Sequence, residues 1–125
     1  MNLLLDTHIF IWWLEDSPKL SLVARKAITE PTKLIFVSAA TIWEIIIKKA
    51  VGKLDCPDDL AEAMRANRFQ HLPITFLHAL AVGNLPLLHV DPFDRMLVAQ
   101  AQSEGLTIVT VDDKVKQYGI ACLKL

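Results

Sequence analysis

Three short apolar runs constrain this chain more than any other feature: "NLLL" at residues 2–5, "KLIFVS" at 33–38 and "LTIVTV" at 106–111. Each is four to six residues of near-continuous apolar or β-branched character, without the alternation of a half-buried strand. Such runs read as strands buried on both faces. The segments between them carry helical periodicity. Asp6 or Thr7 caps a helix running to about Leu14, and Ser21 caps another over Ser21–Thr29. "TIWEIIIKKAVGKL" is a helix stopped near Gly52, and "CPDDLAEAMRANR" opens a further one with Pro-Asp-Asp. "FQHLPIT" holds a short strand, and "FLHALAVGNL" a short helix ending at Gly83. In "DPFDRMLVAQAQSEG", Asp91 caps, Pro92 takes the first helical position and Gly105 closes the helix. "ACLKL" offers a last short strand. Strands alternating with helices predict an α/β layered domain built on a parallel sheet.

At 125 residues the chain is expected to be one domain, 1–125, large enough for a substantial core. Its composition, 53% hydrophobic and 22% charged, is that of a globular chain and not a disordered one. No run reaches the ~18 apolar residues of a membrane helix. Asp6 and His8 interrupt the N-terminal apolar run, which also lacks a basic leader, so no secretory signal is expected. Cys56 and Cys122 make neither a disulfide framework nor a clustered zinc site, which predicts a reducing, cytoplasmic setting. A net charge of -1 gives no bulk attraction to nucleic acid or to an acidic membrane. Any such binding falls to local patches, of which Lys48, Lys49 and Lys53 are one and Arg65 and Arg68 another.

The acids follow the apolar runs. In a parallel α/β sheet, ligands bind at the carboxyl edge of the strands. Asp6 lies just past the first run and Asp112 and Asp113 just past the last; Glu44 and Asp94 lie early in helices. Each has a bland alternative. Asp6 can cap its helix. Glu44 completes T-x-x-E with Thr41, a capping box, and pairs with Lys48 four residues on. Asp94 favours a helix N-terminus, although it shares a face with Leu97, Val98 and Ala101. Either Asp112 or Asp113 can be a turn residue. Taken together, acids converging on one edge would repel one another and raise each other's pKa. A divalent cation relieves that repulsion, and hard oxygen donors select Mg²⁺ or Mn²⁺ over zinc. His8, His71, His78 and His89 are scattered and are expected to be surface or satisfied core residues. No glycine-rich phosphate loop or G-x-S-x-G element is present.

"LLLDTH", "VSAATIWEI", "DPFDRMLVAQA" and "TIVTVDD" resemble, in order and spacing, the four acidic motifs of PIN-domain ribonucleases, and most closely those of VapC-type toxins of toxin–antitoxin pairs. The likeness covers nearly the whole chain, including "LPIT" and the A-x-G-x-L-P element at Ala81–Pro86. It implies a three-layer α/β/α sandwich around a short, mainly parallel sheet. It also implies catalytic, metal-binding acids at Asp6, Glu44, Asp94 and Asp112. The family pattern of Thr or Ser, any residue, then Asp selects Thr110-Val111-Asp112 and leaves Asp113 as a neighbour. Thr7 and Ser38 match small polar positions that support the site, and Asp91 matches the acid opening the "DPFD" helix.

The activity so implied is endonucleolytic cleavage of RNA. One or two Mg²⁺ or Mn²⁺ ions would polarise a phosphodiester and activate a water for in-line displacement. Asp6 and Asp94 are the best direct ligands on position. Lys48, Lys49, Lys53 and Arg95 are candidates for phosphate contacts. Trp12 and Trp13 point roughly 100° apart in a helix, so one is expected to cover an exposed surface, unless both flank one broad core. The resemblance further implies a homodimer and a cognate antitoxin. Two rival readings stand beside this one: a catalytically silent PIN fold acting as a binding module, and a receiver-type signalling domain. The second wants an acidic pair after its first strand and an acid after a middle one. Here Thr7 and His8 follow Asp6, and "LIFVS" ends without an acid.

Overall fold

In the computed structural model, which describes residues 1–125, the first apolar run forms β1 (Leu3–Leu5), whose three leucines are all fully buried. It pairs in parallel with β2 (Ile35–Ser38) on one side and β4 (Thr107–Val109) on the other; β3 (Gln70–Leu72) pairs in parallel with β2. The sheet order is β3-β2-β1-β4, wholly parallel. Leu3 lies opposite both Ile35 and Thr107, and Leu5 opposite Val109. That register brings the exits of β1, β2 and β4 to one edge.

Side chains on successive strand residues point to opposite faces, and the core divides accordingly. Leu3, Leu5, Ile35, Val37 and Val109 join one apolar cluster; Leu4 and Ile108 join a second. The first is covered by α1 (Thr7–Glu15), α2 (Leu22–Thr29) and α4 (Leu60–Ala66), which contribute Phe10, Ile28 and Met64 among others. The second lies under α6 (Pro92–Glu104), with Ala81 and Val82 of α5 (Phe76–Val82) and Val115 of α7 (Asp113–Lys116). α3 (Ala39–Ala50) gives Ile45 to the first cluster and Ala40 to the second. The result is the expected three-layer α/β/α arrangement.

The punctuation residues act as anticipated. Asp6 caps α1, Ser21 caps α2, Asp91 caps α6 with Pro92 following, and Gly105 ends α6 in the left-handed region at φ 66°. Three details differ from the sequence expectation, and one alternative left open there is resolved. Ser38, not Thr41, caps α3: its hydroxyl accepts from the Ala40 N–H at 3.0 Å. Thr41 is therefore inside the helix, and there is no Thr41–Glu44 capping box. Trp12 and Trp13 both pack, partly buried, against the first cluster, so they flank one broad core. "ACLKL" makes only an isolated parallel bridge, Cys122 with Ile108. The last apolar run leaves the sheet at Val109, and Asp112 then starts the short helix α7, which the apolar pattern does not announce.

Candidate active site

Asp6 is buried at the exit of β1. One oxygen accepts from the Ile9 N–H at 2.8 Å, closing the first turn of α1, and the other accepts from the Thr110 hydroxyl. Thr110, fully buried, also accepts from the Asp112 N–H at 3.0 Å. This one threonine thus ties the ends of β1 and β4 together. Glu44, in the second turn of α3, is equally buried. Its Oε1 accepts at 2.7 Å from the Thr7 hydroxyl, itself 3.2 Å from the Thr41 hydroxyl, while Oε2 pairs with Lys48. Asp94 sits in the first turn of α6, where its N–H donates to the capping Asp91 at 3.0 Å. Asp112 caps α7, accepting from the Lys114 N–H at 2.8 Å.

A histidine closes the arrangement. His89 Nε2 lies 2.8 Å from Asp94 Oδ2 and 3.3 Å from Asp112 Oδ2. One donor atom from each of His89, Asp94 and Asp112 falls within 4.8 Å of the others. His89 is thus neither a surface residue nor a satisfied core residue, as the scattered histidines lead one to expect, but lies beside two acids. The available signal was its position two residues before the Asp91 cap, in the loop leading into an acid-bearing helix. His78 does match the expectation: it is buried, bonded to the Thr75 N–H and paired with Glu104.

The electrostatics report crowding. The Asp94 carboxyl is pushed up to about 6, by burial first, then by the charges of Asp91 and Glu44; His89 opposes the rise and Asp6 adds to it. Asp6 is also raised, by burial above all and slightly by Asp112, against the lowering effect of its bonds from Thr110 and Ile9. Lys48 is held above the usual lysine value, chiefly by its bond to Glu44 and further by the charges of Glu44, Asp91 and Asp94. Its ammonium, paired with Glu44 and partly exposed, lies at the rim of the cluster.

The remaining sequence candidates take other places. Ser38 touches none of the acids; it caps α3 and donates to Gln100 Oε1 at 2.6 Å. Lys49 turns away to Asp58, at 2.6 Å, and to the Cys56 carbonyl. Lys53 is exposed beyond the end of α3. The Arg95 guanidinium braces the loop before α6 by donating to the carbonyls of Pro86 and Val82 and to the Tyr118 hydroxyl. Asp113 is exposed and lies 3.8 Å from Lys116. Beside the acids, Trp43 and Phe93, each one residue before an acid, meet edge to face at 5.1 Å.

The PIN domain profile matches residues 3–121. The chain belongs to the PIN domain family. This PIN domain is 30% identical to Ribonuclease VapC22 of Mycobacterium tuberculosis, over 94% of this chain and 92% of that protein. Its fold is shared by the DNA-bound VapBC structure of Salmonella typhimurium, with TM-score 0.72, 21% identity and 98% and 97% of the two chains covered. It is shared too by VapBC2 of Rickettsia felis bound to a DNA fragment from their promoter, with TM-score 0.70, 18% identity and 98% of each chain covered. No helix of this PIN domain is long and apolar enough to cross a membrane.

The donor set fits a hard divalent cation. Carboxylate oxygens dominate it, no thiolate competes, and the part of the rise at Asp94 that comes from Asp91 and Glu44 is a repulsion that positive charge would relieve.

Proposed function

We propose that this PIN domain is a metal-dependent endoribonuclease, the toxin member of a toxin–antitoxin pair, acting as a single domain over residues 1–125. The observation that carries this is the gathering of Asp6, Glu44, Asp94 and Asp112, from four separate elements, around one edge of the sheet, where burial first and then the charges of Asp91 and Glu44 raise Asp94 to about 6. The likeness to a protein named a ribonuclease, and to structures titled as VapBC complexes, supports the substrate class and the antitoxin partner.

Asp94 and Asp112, whose carboxylate oxygens lie within 4.8 Å of each other, would hold Mg²⁺ or Mn²⁺ in place of the Asp6–Asp94 pair expected from position. Asp6, its oxygens engaged by Ile9 and Thr110, would complete the acidic wall with Glu44 directly or through water. One or two ions suit that number of carboxylates. When bound, the cation supplies the charge that polarises a phosphodiester and activates water for its hydrolysis. The chain's own groups do the rest. Thr110 orients Asp6 and the backbone at Asp112; Thr7 orients Glu44. Ser38 acts at one remove, by fixing the start of the helix that carries Glu44. Lys48, at the rim, is the cation best placed to meet an incoming phosphate, whereas Lys49 and Arg95 are engaged elsewhere. The partners of this reading are an RNA substrate, a cognate antitoxin and a second copy of the chain, in the cytoplasm.

The test is cleavage of a mixed RNA pool by purified protein. Asp94→Asn and Asp6→Asn should each lower the rate at least a hundredfold while far-UV circular dichroism stays that of the parent, and excess EDTA should abolish cleavage. Undiminished cleavage by folded Asp94→Asn would remove this residue from the chemistry. Absence of any cleavage by the parent protein, with cation bound, would favour the silent binding module.

A further inference from the structure

We infer that His89 is a positioning residue of the acidic site: its Nε2–H holds Asp94 and Asp112, which come from different elements, at the spacing a divalent cation needs. The inference rests on the reading that these acids bind such a cation.

Three contacts restrain His89 before any ligand is considered. Its backbone N–H donates to the Tyr118 hydroxyl at 3.0 Å, and that hydroxyl is held in turn by Arg95 at 3.0 Å. Its Nδ1 accepts from the Asp91 N–H at 3.3 Å. Its Nε2 reaches the two carboxylates. The second contact sets the tautomer. An N–H directed at Nδ1 requires a lone pair there, so the ring proton is on Nε2. Nε2 therefore faces the acids as a donor, without a free lone pair to offer a metal. That distinguishes His89 from Asp94 and Asp112, although its distances alone would suit a ligand.

The need for such a donor follows from how the acids are mounted. Asp94 stands in the first turn of the thirteen-residue helix α6. Asp112 starts the four-residue helix α7 and is over a third exposed. Two carboxylates repel, and the cap bond from the Lys114 N–H holds only Oδ1 of Asp112, leaving Oδ2 to be directed by another donor. A single N–H shared between them opposes the repulsion, directs that oxygen and preorganises the pair, as partners of metal-ligating carboxylates do. Arg95 gains a purpose as well: through Tyr118 it fixes the loop on which His89 is carried.

The test measures Mn²⁺ affinity of EDTA-stripped, dialysed protein by electron paramagnetic resonance at one neutral pH, with cleavage followed separately. His89→Ala and His89→Leu, the latter filling the volume without a donor, should bind Mn²⁺ roughly tenfold or more weakly than the parent. His89→Gln, whose amide nitrogen can occupy the Nε2 position, should bind as the parent does. Using both apolar variants, and checking each by circular dichroism, separates loss of the donor from loss of folding. Equal affinity across the series, or failure of glutamine to rescue, would overturn the positioning role. So would a nitrogen hyperfine coupling from a histidine in the Mn²⁺-loaded parent, which would make His89 a ligand. A parent protein that binds no Mn²⁺ would overturn the cation reading itself, and this inference with it.

Discussion

Asp94 keeps its proton more tightly in the fold than in the unfolded chain, because burial and the neighbouring Asp91 and Glu44 charges oppose its ionisation. Folding therefore favours proton uptake there, and by linkage its contribution to stability falls as pH rises. That contribution is whole below the ordinary carboxylate value of 3.8 and is lost as pH climbs through about 6. Asp94→Asn cannot ionise and escapes the loss. In EDTA, its thermal midpoint should exceed that of the parent near pH 7, the two converging toward about pH 4. A constant difference across that range would mean that folding does not raise Asp94, by burial or by its acidic neighbours. The same substitution that should end cleavage is thus expected to make the protein more stable, a combination common where function stores strain. At this scale the placement of the acids near one sheet edge was legible, because Asp6 and Asp112 follow apolar runs and Glu44 and Asp94 lie in the first two turns of their helices. His89 was not, since its role exists only where the 86–91 loop meets the exit of β4, 23 residues on from His89 to Asp112.

At the scale of elements, helix boundaries were the most readable part of the sequence, because single residues with conformational preferences set them. Gly105 is the clearest case. It ends α6 at φ 66°, and a Cβ built there meets nothing within 4 Å. Gly105→Ala should therefore cost about 1 kcal/mol through backbone strain alone. The expected result is a lower thermal midpoint with cleavage unchanged at temperatures well below it. A larger cost would mean that α6 shifts and takes Asp94 with it. Where two capping signals lie close together, reading the sequence loses resolution. Ser38 and Thr41 are both good caps, and only the sheet register, which ends β2 at Ser38, decides between them. Short elements are lost for a related reason: α7 has four residues and too little apolar pattern to stand out.

For the molecule as a whole, a cation that binds only the folded state should raise stability by about 2.7 kcal/mol at a hundredfold excess over Kd. Differential scanning fluorimetry with Mn²⁺ should show a rise of several degrees that Asp94→Asn largely lacks. No rise in the parent would count against the site. The outer faces of α3 and α5 carry large exposed apolar side chains, Trp43 and Ile46 on one and Phe76, Leu77 and Leu80 on the other. Apolar surface of that extent favours association, and sedimentation at high concentration should show a dimer; a monomer would contradict it. These faces, rather than the adjacent Trp12 and Trp13, carry the exposed apolar surface. Finally, Asp6 and Asp112 are both wall and keystone: each lines the candidate site while also capping the start of a helix. A descendant that gave up the chemistry would still be pressed to keep an oxygen-bearing side chain at both positions, by roughly the 0.5–2 kcal/mol that a cap contributes. Retired copies of this protein should therefore drift first at Glu44 and Asp94, and persistence of an aspartate at position 6 or 112 in a relative would be poor testimony that it still cuts anything.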